Sequence, residues 1–131
     1  MIDIDEFTEE MDKLTEEVPE IFYTDLNGGI LILPDLKVSP DAKANDLFVL
    51  GMYRRSASMG RYIEIYYGSF KRMFSYLSKE ALIEEMREVL FHEFTHHIES
   101  LAGERGLEKK DEEQLKEYLA HHLKQDKGKR R

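Results

Sequence analysis

The spacing of apolar and charged positions changes along this chain, and each change marks a predicted element. Ile4, Phe7, Met11, Leu14 and Val18 recur at steps of three and four with charges between them. This predicts an amphipathic helix over about 4–18, ended by Pro19, whose apolar face packs into the core. Leu26-Asn27-Gly28-Gly29 is turn chemistry, and the run Ile30-Leu31-Ile32-Leu33 before Pro34-Asp35 predicts a short buried strand. Residues 35–46 have no clear period and read as a loop. Leu47 to Tyr53 reads as a second strand with Gly51 as a bulge, and 54–60, small and polar, as another loop. The best alternation is Arg61 to Tyr67, with Ile63, Ile65 and Tyr67 on one side and Tyr62, Glu64 and Tyr66 on the other. Gly68-Ser69 breaks that strand, and Phe70 to Leu77 predicts a short helix.

Ser78 suits the N-cap of a long helix whose apolar positions are Ile83, Met86, Leu90, Phe94, Ile98 and Leu101. At roughly 100° per residue, Glu85, His92, His96 and Glu99 fall on nearly the opposite side. Gly103 is the expected stop, with 104–107 as a bend. A last helix is expected from Asp111 to about Lys124, with Leu115, Tyr118, Leu119 and His122 inward. The reading is one domain over 1–126 and a basic, disordered tail over 127–131, with no internal repeat.

The stretch Phe91-His92-Glu93-Phe94-Thr95-His96-His97 carries the pattern H-E-x-x-H. On a helix, the four-residue step sets His92 and His96 one turn apart on one face, where both imidazoles reach a single metal ion. Glu93 sits beside that ion and is suited to take a proton from water. His97 faces the apolar arc and reads as a packed core histidine, while His121 and His122 read as surface or packing residues.

Composition narrows the chemistry. With 131 residues, 41% hydrophobic and 35% charged, the chain has the balance of one folded domain. The net charge of -8 argues against a nucleic-acid partner. There are no cysteines, so thiolate catalysis and Cys-based zinc sites are excluded and any metal must be held by His, Asp or Glu. The N-terminus, Met1 to Glu6, is acidic, and no window approaches a membrane span, so a cytoplasmic protein is expected. A catalytic zinc ion takes three protein ligands and keeps one position open. Three acidic sources of the third ligand stay in play: Glu104, where the chain can turn back after Gly103; Glu99, on the histidine face; and Asp111, Glu112 and Glu113, at the start of the last helix. Glu104 is placed first.

On these residues the chain resembles the small bacterial zincin-like metallopeptidases, described as minimal matrix-metalloprotease-like proteins. The likeness runs in order through Val18-Pro19-Glu20-Ile21-Phe22, Leu26-Asn27, Ile63-Glu64-Ile65-Tyr66-Tyr67-Gly68 and His92 to His97. The segment Glu99 to Glu104 departs from it, because relatives have a Gly soon after the paired histidines and an acid shortly after. The resemblance implies a small α+β zincin-like fold, with a short mixed sheet packed on the long H-E-x-x-H helix and a helix at each end. It also implies zinc-dependent hydrolysis of a peptide or protein substrate, with His92, His96 and Glu104 on one Zn2+ ion and Glu93 as general base. Other divalent metals fit the same ligand types. The strand Arg61 to Tyr67 is expected to pair with an extended substrate, with Tyr66 or Tyr67 donating to the oxyanion. Two rivals stand beside this reading: a non-peptidase zinc hydrolase, and a catalytically silent metal-binding or interaction module.

Overall fold

Asp3 opens the first helix by accepting the backbone N–H of Glu6 on its side chain at 2.9 Å. This helix, α1 (Ile4–Glu17), sends Phe7, Met11 and Leu14 into the core, as its three- and four-residue spacing requires. The structure, a computed structural model, describes residues 1–41 and 47–129, with side chains to residue 123. A 3₁₀ turn at Glu20–Tyr23 follows Pro19 and buries Phe22. The strands are β1 (Gly29–Leu33), β2 (Lys37–Val38), β3 (Phe48–Val49), β4 (Gly51–Ser56) and β5 (Gly60–Tyr66). Helix α2 (Tyr67–Phe74) follows directly, then α3 (Lys79–Arg105) and α4 (Lys109–Lys129). The architecture is α+β, with four helices and a small mixed sheet.

The main sheet has the order β1-β5-β4, with β1 parallel and β4 antiparallel to β5. β5 is therefore the central strand, hydrogen-bonded on both edges, and cannot accept an added strand. β4 forms one edge of this sheet. Ile63 and Ile65 on β5 are fully buried against Phe7, Met11, Met86, Leu90 and Phe94, the centre of the core. Each such large side chain contributes about 1.5–3 kcal/mol when removed from water.

Lys37–Val38 form β2 within the stretch 35–46 read as a loop, of which 42–46 lie outside the described residues, and α2 opens at Tyr67 rather than Phe70; further differences from the sequence reading have local reasons. The run Leu47 to Tyr53 divides at Leu50: β3 pairs with β2 in a separate two-stranded sheet, while β4 joins β5. Arg54, Arg55 and Ser56 continue β4 rather than forming a loop, because they stay in register with Tyr62, Arg61 and Gly60. Gly51 is not a bulge; it pairs regularly with Ile65. A Cβ there would lie 2.9 Å from Val89 Cγ1, so glycine lets the β4 backbone press against α3. Gly103 does not stop α3. The helix continues to Arg105 and ends at Gly106, whose φ of 68° is left-handed, with the N–H of Leu107 donating to the carbonyl of Ala102. A glycine inside a helix costs about 1 kcal/mol, too little to end one this well packed.

In α4 the buried positions are Leu119 and Leu123, while Tyr118 is half exposed. The last residues of α4 fall within the segment read as a basic tail, and residues 130–131 lie outside the described residues. Among the described residues, no helix is long and apolar enough to cross a membrane.

Candidate functional site

Ser78 starts α3 by accepting the N–H of Ala81 at 3.2 Å, and the helix then runs unbroken through the H-E-x-x-H segment. Its inner face buries Leu82, Met86, Leu90, Phe94 and Ile98, which leaves His92 and His96 exposed on the other side. Their Nε2 atoms converge to 3.0 Å, with the rings nearly perpendicular and their centroids 4.5 Å apart. Two nitrogens on one tetrahedral zinc ion, each bonded at about 2.0–2.1 Å, lie about 3.3 Å apart. The observed spacing is shorter than that and is a hydrogen-bond distance between the two imidazoles.

Glu93 lies one residue further round the helix and is buried, 4% exposed. Burial pushes its carboxyl above its ordinary range, while the charge of His96 and the backbone N–H of Tyr53 pull it the other way. Gly51, Met52 and Tyr53 of β4 face His92, Glu93, His96 and Ser100 across a cleft of about 360 Å³. A carboxylate of raised basicity beside an open cleft is the arrangement a general base needs.

The proposed third ligands do not join the histidines. Glu104 lies eight residues past His96, about 12 Å of helix rise, because α3 does not turn back at Gly103. Its carboxylate is held by Arg61 and lies 3.3 Å from Arg55, and the Arg61 guanidinium keeps it below the usual carboxylate range. Glu99 lies 3.3 Å from His96, but from Nδ1, the nitrogen that faces away from His92. Its other oxygen is 2.8 Å from Lys116. Glu112 pairs with Lys116 at 3.0 Å, and Asp111 and Glu113 are exposed on α4. Among the described residues no group of three His, Cys, Asp or Glu side chains gathers as a metal site. The donor set fits a metal as far as two imidazoles and no further.

No family model matches the chain, and no curated protein does either. A solved structure is similar to it: the conserved hypothetical protein TTHA0227 from Thermus thermophilus. The two share 34% sequence identity and a TM-score of 0.64, over 78% of this chain and 99% of that one. The chain belongs to that protein's family.

His97, next to His96, is fully buried: its Nε2 donates to the Thr24 carbonyl at 2.8 Å, and its Nδ1 accepts from the Tyr53 hydroxyl at 2.7 Å. Burial lowers its pKa. It is the core histidine that its position on the apolar arc predicts. Tyr66 and Tyr67 are committed elsewhere. The Tyr66 hydroxyl donates to Glu64 at 2.8 Å and the Tyr67 hydroxyl to the Ile2 carbonyl at 2.6 Å, so neither faces the histidine pair. The site residues missed in the sequence are Gly51 to Tyr53 and Ser100. No alternation marks β4, because the apolar pair Met52-Tyr53 is followed by the charged pair Arg54-Arg55.

Proposed function

We propose that this protein is a zinc-dependent, zincin-like peptidase of the cytoplasm, with His92 and His96 as metal ligands and Glu93 as general base. The observation that carries the reading is the convergence of the two Nε2 atoms to 3.0 Å beside a buried carboxylate that opens on a cleft. When bound there, zinc would supply the Lewis acidity that activates water and polarises a scissile carbonyl. Glu93 takes the proton from the attacking water and returns it to the leaving amine nitrogen. The edge strand β4, rather than the central β5, lies alongside the cleft and is suited to hydrogen-bond an extended peptide. His97 and Tyr53 hold α3 and β4 at fixed spacing across the site.

The absence of a third ligand among the described residues favours a second reading, a metal-binding module without turnover. The Glu93→Gln variant separates the two. On a panel of unstructured peptides, the peptidase reading expects zinc retained and turnover reduced by about 10²–10⁴-fold. A wild type that binds zinc stoichiometrically and cleaves nothing would favour the silent module.

A further inference from the structure

On the side of α3 away from the histidine pair, Phe22 of the 3₁₀ turn, Ile98 and Leu101 of α3 and Leu115 of α4 wall a cavity of about 160 Å³. The polar groups of its wall are satisfied within the protein. His97 Nε2 donates to the Thr24 carbonyl at 2.8 Å, and the Thr24 hydroxyl donates to the Ile21 carbonyl at 2.7 Å. An engineered cavity of about 150 Å³ with Leu, Ile and Phe walls stays dry and binds benzene. The space here therefore suits one six-membered ring or an aliphatic group of similar bulk. Its mouth has a different character. Ile21 and Leu107 stand there, 60% and 39% exposed, and so does Arg105, half exposed. Arg105 ion-pairs with Asp25 through one terminal nitrogen. A guanidinium carries five N–H donors, so donors remain for a second acceptor. Asp25, with φ of 62°, is the one non-glycine residue in the left-handed region among the described residues, and it ties this turn to the end of α3.

We propose that this cavity is a binding site for a small free monocarboxylic acid, whose aromatic ring or branched aliphatic group fills the apolar space while its carboxylate meets Arg105 at the mouth. The head group follows from the charges present. One guanidinium matches one negative charge, and its planar fork suits a carboxylate. A dianion such as phosphate would face the Asp25 carboxylate beside the same cation. The body follows from the walls, which offer van der Waals contact and no unpaired donor. The site shares no lining residue with the cleft beside His92 and Glu93, so it does not depend on the peptidase reading.

The test is titration of the full chain with phenylacetate and with uncharged phenylacetamide, followed by methyl NMR and by calorimetry. In the wild type, phenylacetate shifts the methyl signals of Ile98, Leu101 and Leu115 and binds about tenfold more tightly than the amide, the effect of one charge-assisted hydrogen bond at a half-exposed cation. Arg105→Gln removes that advantage and leaves the two compounds with similar affinity. Arg105 is exposed, so this variant keeps the fold. Leu101→Phe fills the cavity from a partly buried position and abolishes binding of both compounds. Absence of the methyl shifts at millimolar phenylacetate would overturn the site, as would phenylacetate binding that survives in folded Leu101→Phe. Equal affinity for acid and amide in the wild type, or phenylacetate affinity unchanged in Arg105→Gln, would overturn the carboxylate at the mouth. A short peptide ending in phenylalanine that binds about tenfold more tightly than phenylacetate would make the occupant a peptide C-terminus and overturn the free acid.

Discussion

His96 and His97 are neighbours in sequence and opposites in structure. His97 is fully buried with both ring nitrogens satisfied by Thr24 and Tyr53. His96 is exposed, with Nε2 aimed at another imidazole and Nδ1 near a carboxylate. A step of roughly 100° round one helix separates a histidine whose hydrogen bonds close the fold from one whose bonding capacity faces outward. Function is thus marked by how the partners of a side chain are arranged, since residue type is the same in both.

The comparison is broken most directly by truncating each residue in turn. His92→Ala and His96→Ala each abolish zinc binding, measured by calorimetric titration, while changing the stability of the metal-free protein by no more than about 0.5 kcal/mol. His97→Ala does the reverse. It strands the Tyr53 hydroxyl and the Thr24 carbonyl, and urea unfolding shows a loss of about 3 kcal/mol while the folded fraction still takes up zinc. If His97→Ala were as stable as wild type, or His96→Ala as unstable as His97→Ala, the division between the two faces would be wrong.

A smaller effect sharpens the contrast between the histidine pair and Glu104, which depends on α3 running on past Gly103. Gly103→Ala gains up to about 1 kcal/mol in a helix interior, whereas Gly106→Ala loses about 1 kcal/mol at a left-handed cap. Equal signs for the two substitutions would place the end of the helix elsewhere. The smallest effect is electrostatic. Arg61 lowers the pKa of Glu104, so the pair's stabilisation is present above the ordinary carboxyl value of 4.5 and is lost as pH falls through the lowered one. The stability difference between wild type and Glu104→Gln accordingly shrinks below pH 4.5, as followed by acid unfolding. A difference that stays constant through the acid range would remove the ion pair from the account.

Much of this was legible in the sequence where one local rule acts alone. The spacing of Phe7, Met11 and Leu14 defined α1, and Ser78 marked the start of α3. His97 was readable as core and His92 with His96 as a pair, because both statements depend only on helical period. What escaped depends on distant segments. No local signal tells that β5 is flanked on both edges, that Leu50 passes the chain from one sheet to another, or that Gly51 is there to let Val89 approach. Glu104 lies away from the histidine pair for the same reason. Gly103 looked like a stop, but the packing of Ile98 and Ala102 carried the helix past it.

The central claim is that His92 and His96 share one cation. Crystals soaked in zinc, with anomalous data collected at the zinc edge, test it directly. The account predicts a single peak bonded to both Nε2 atoms and next to Glu93. Zinc bound elsewhere, or Nε2 atoms that remain 3.0 Å apart with no metal bonded to them, would contradict it.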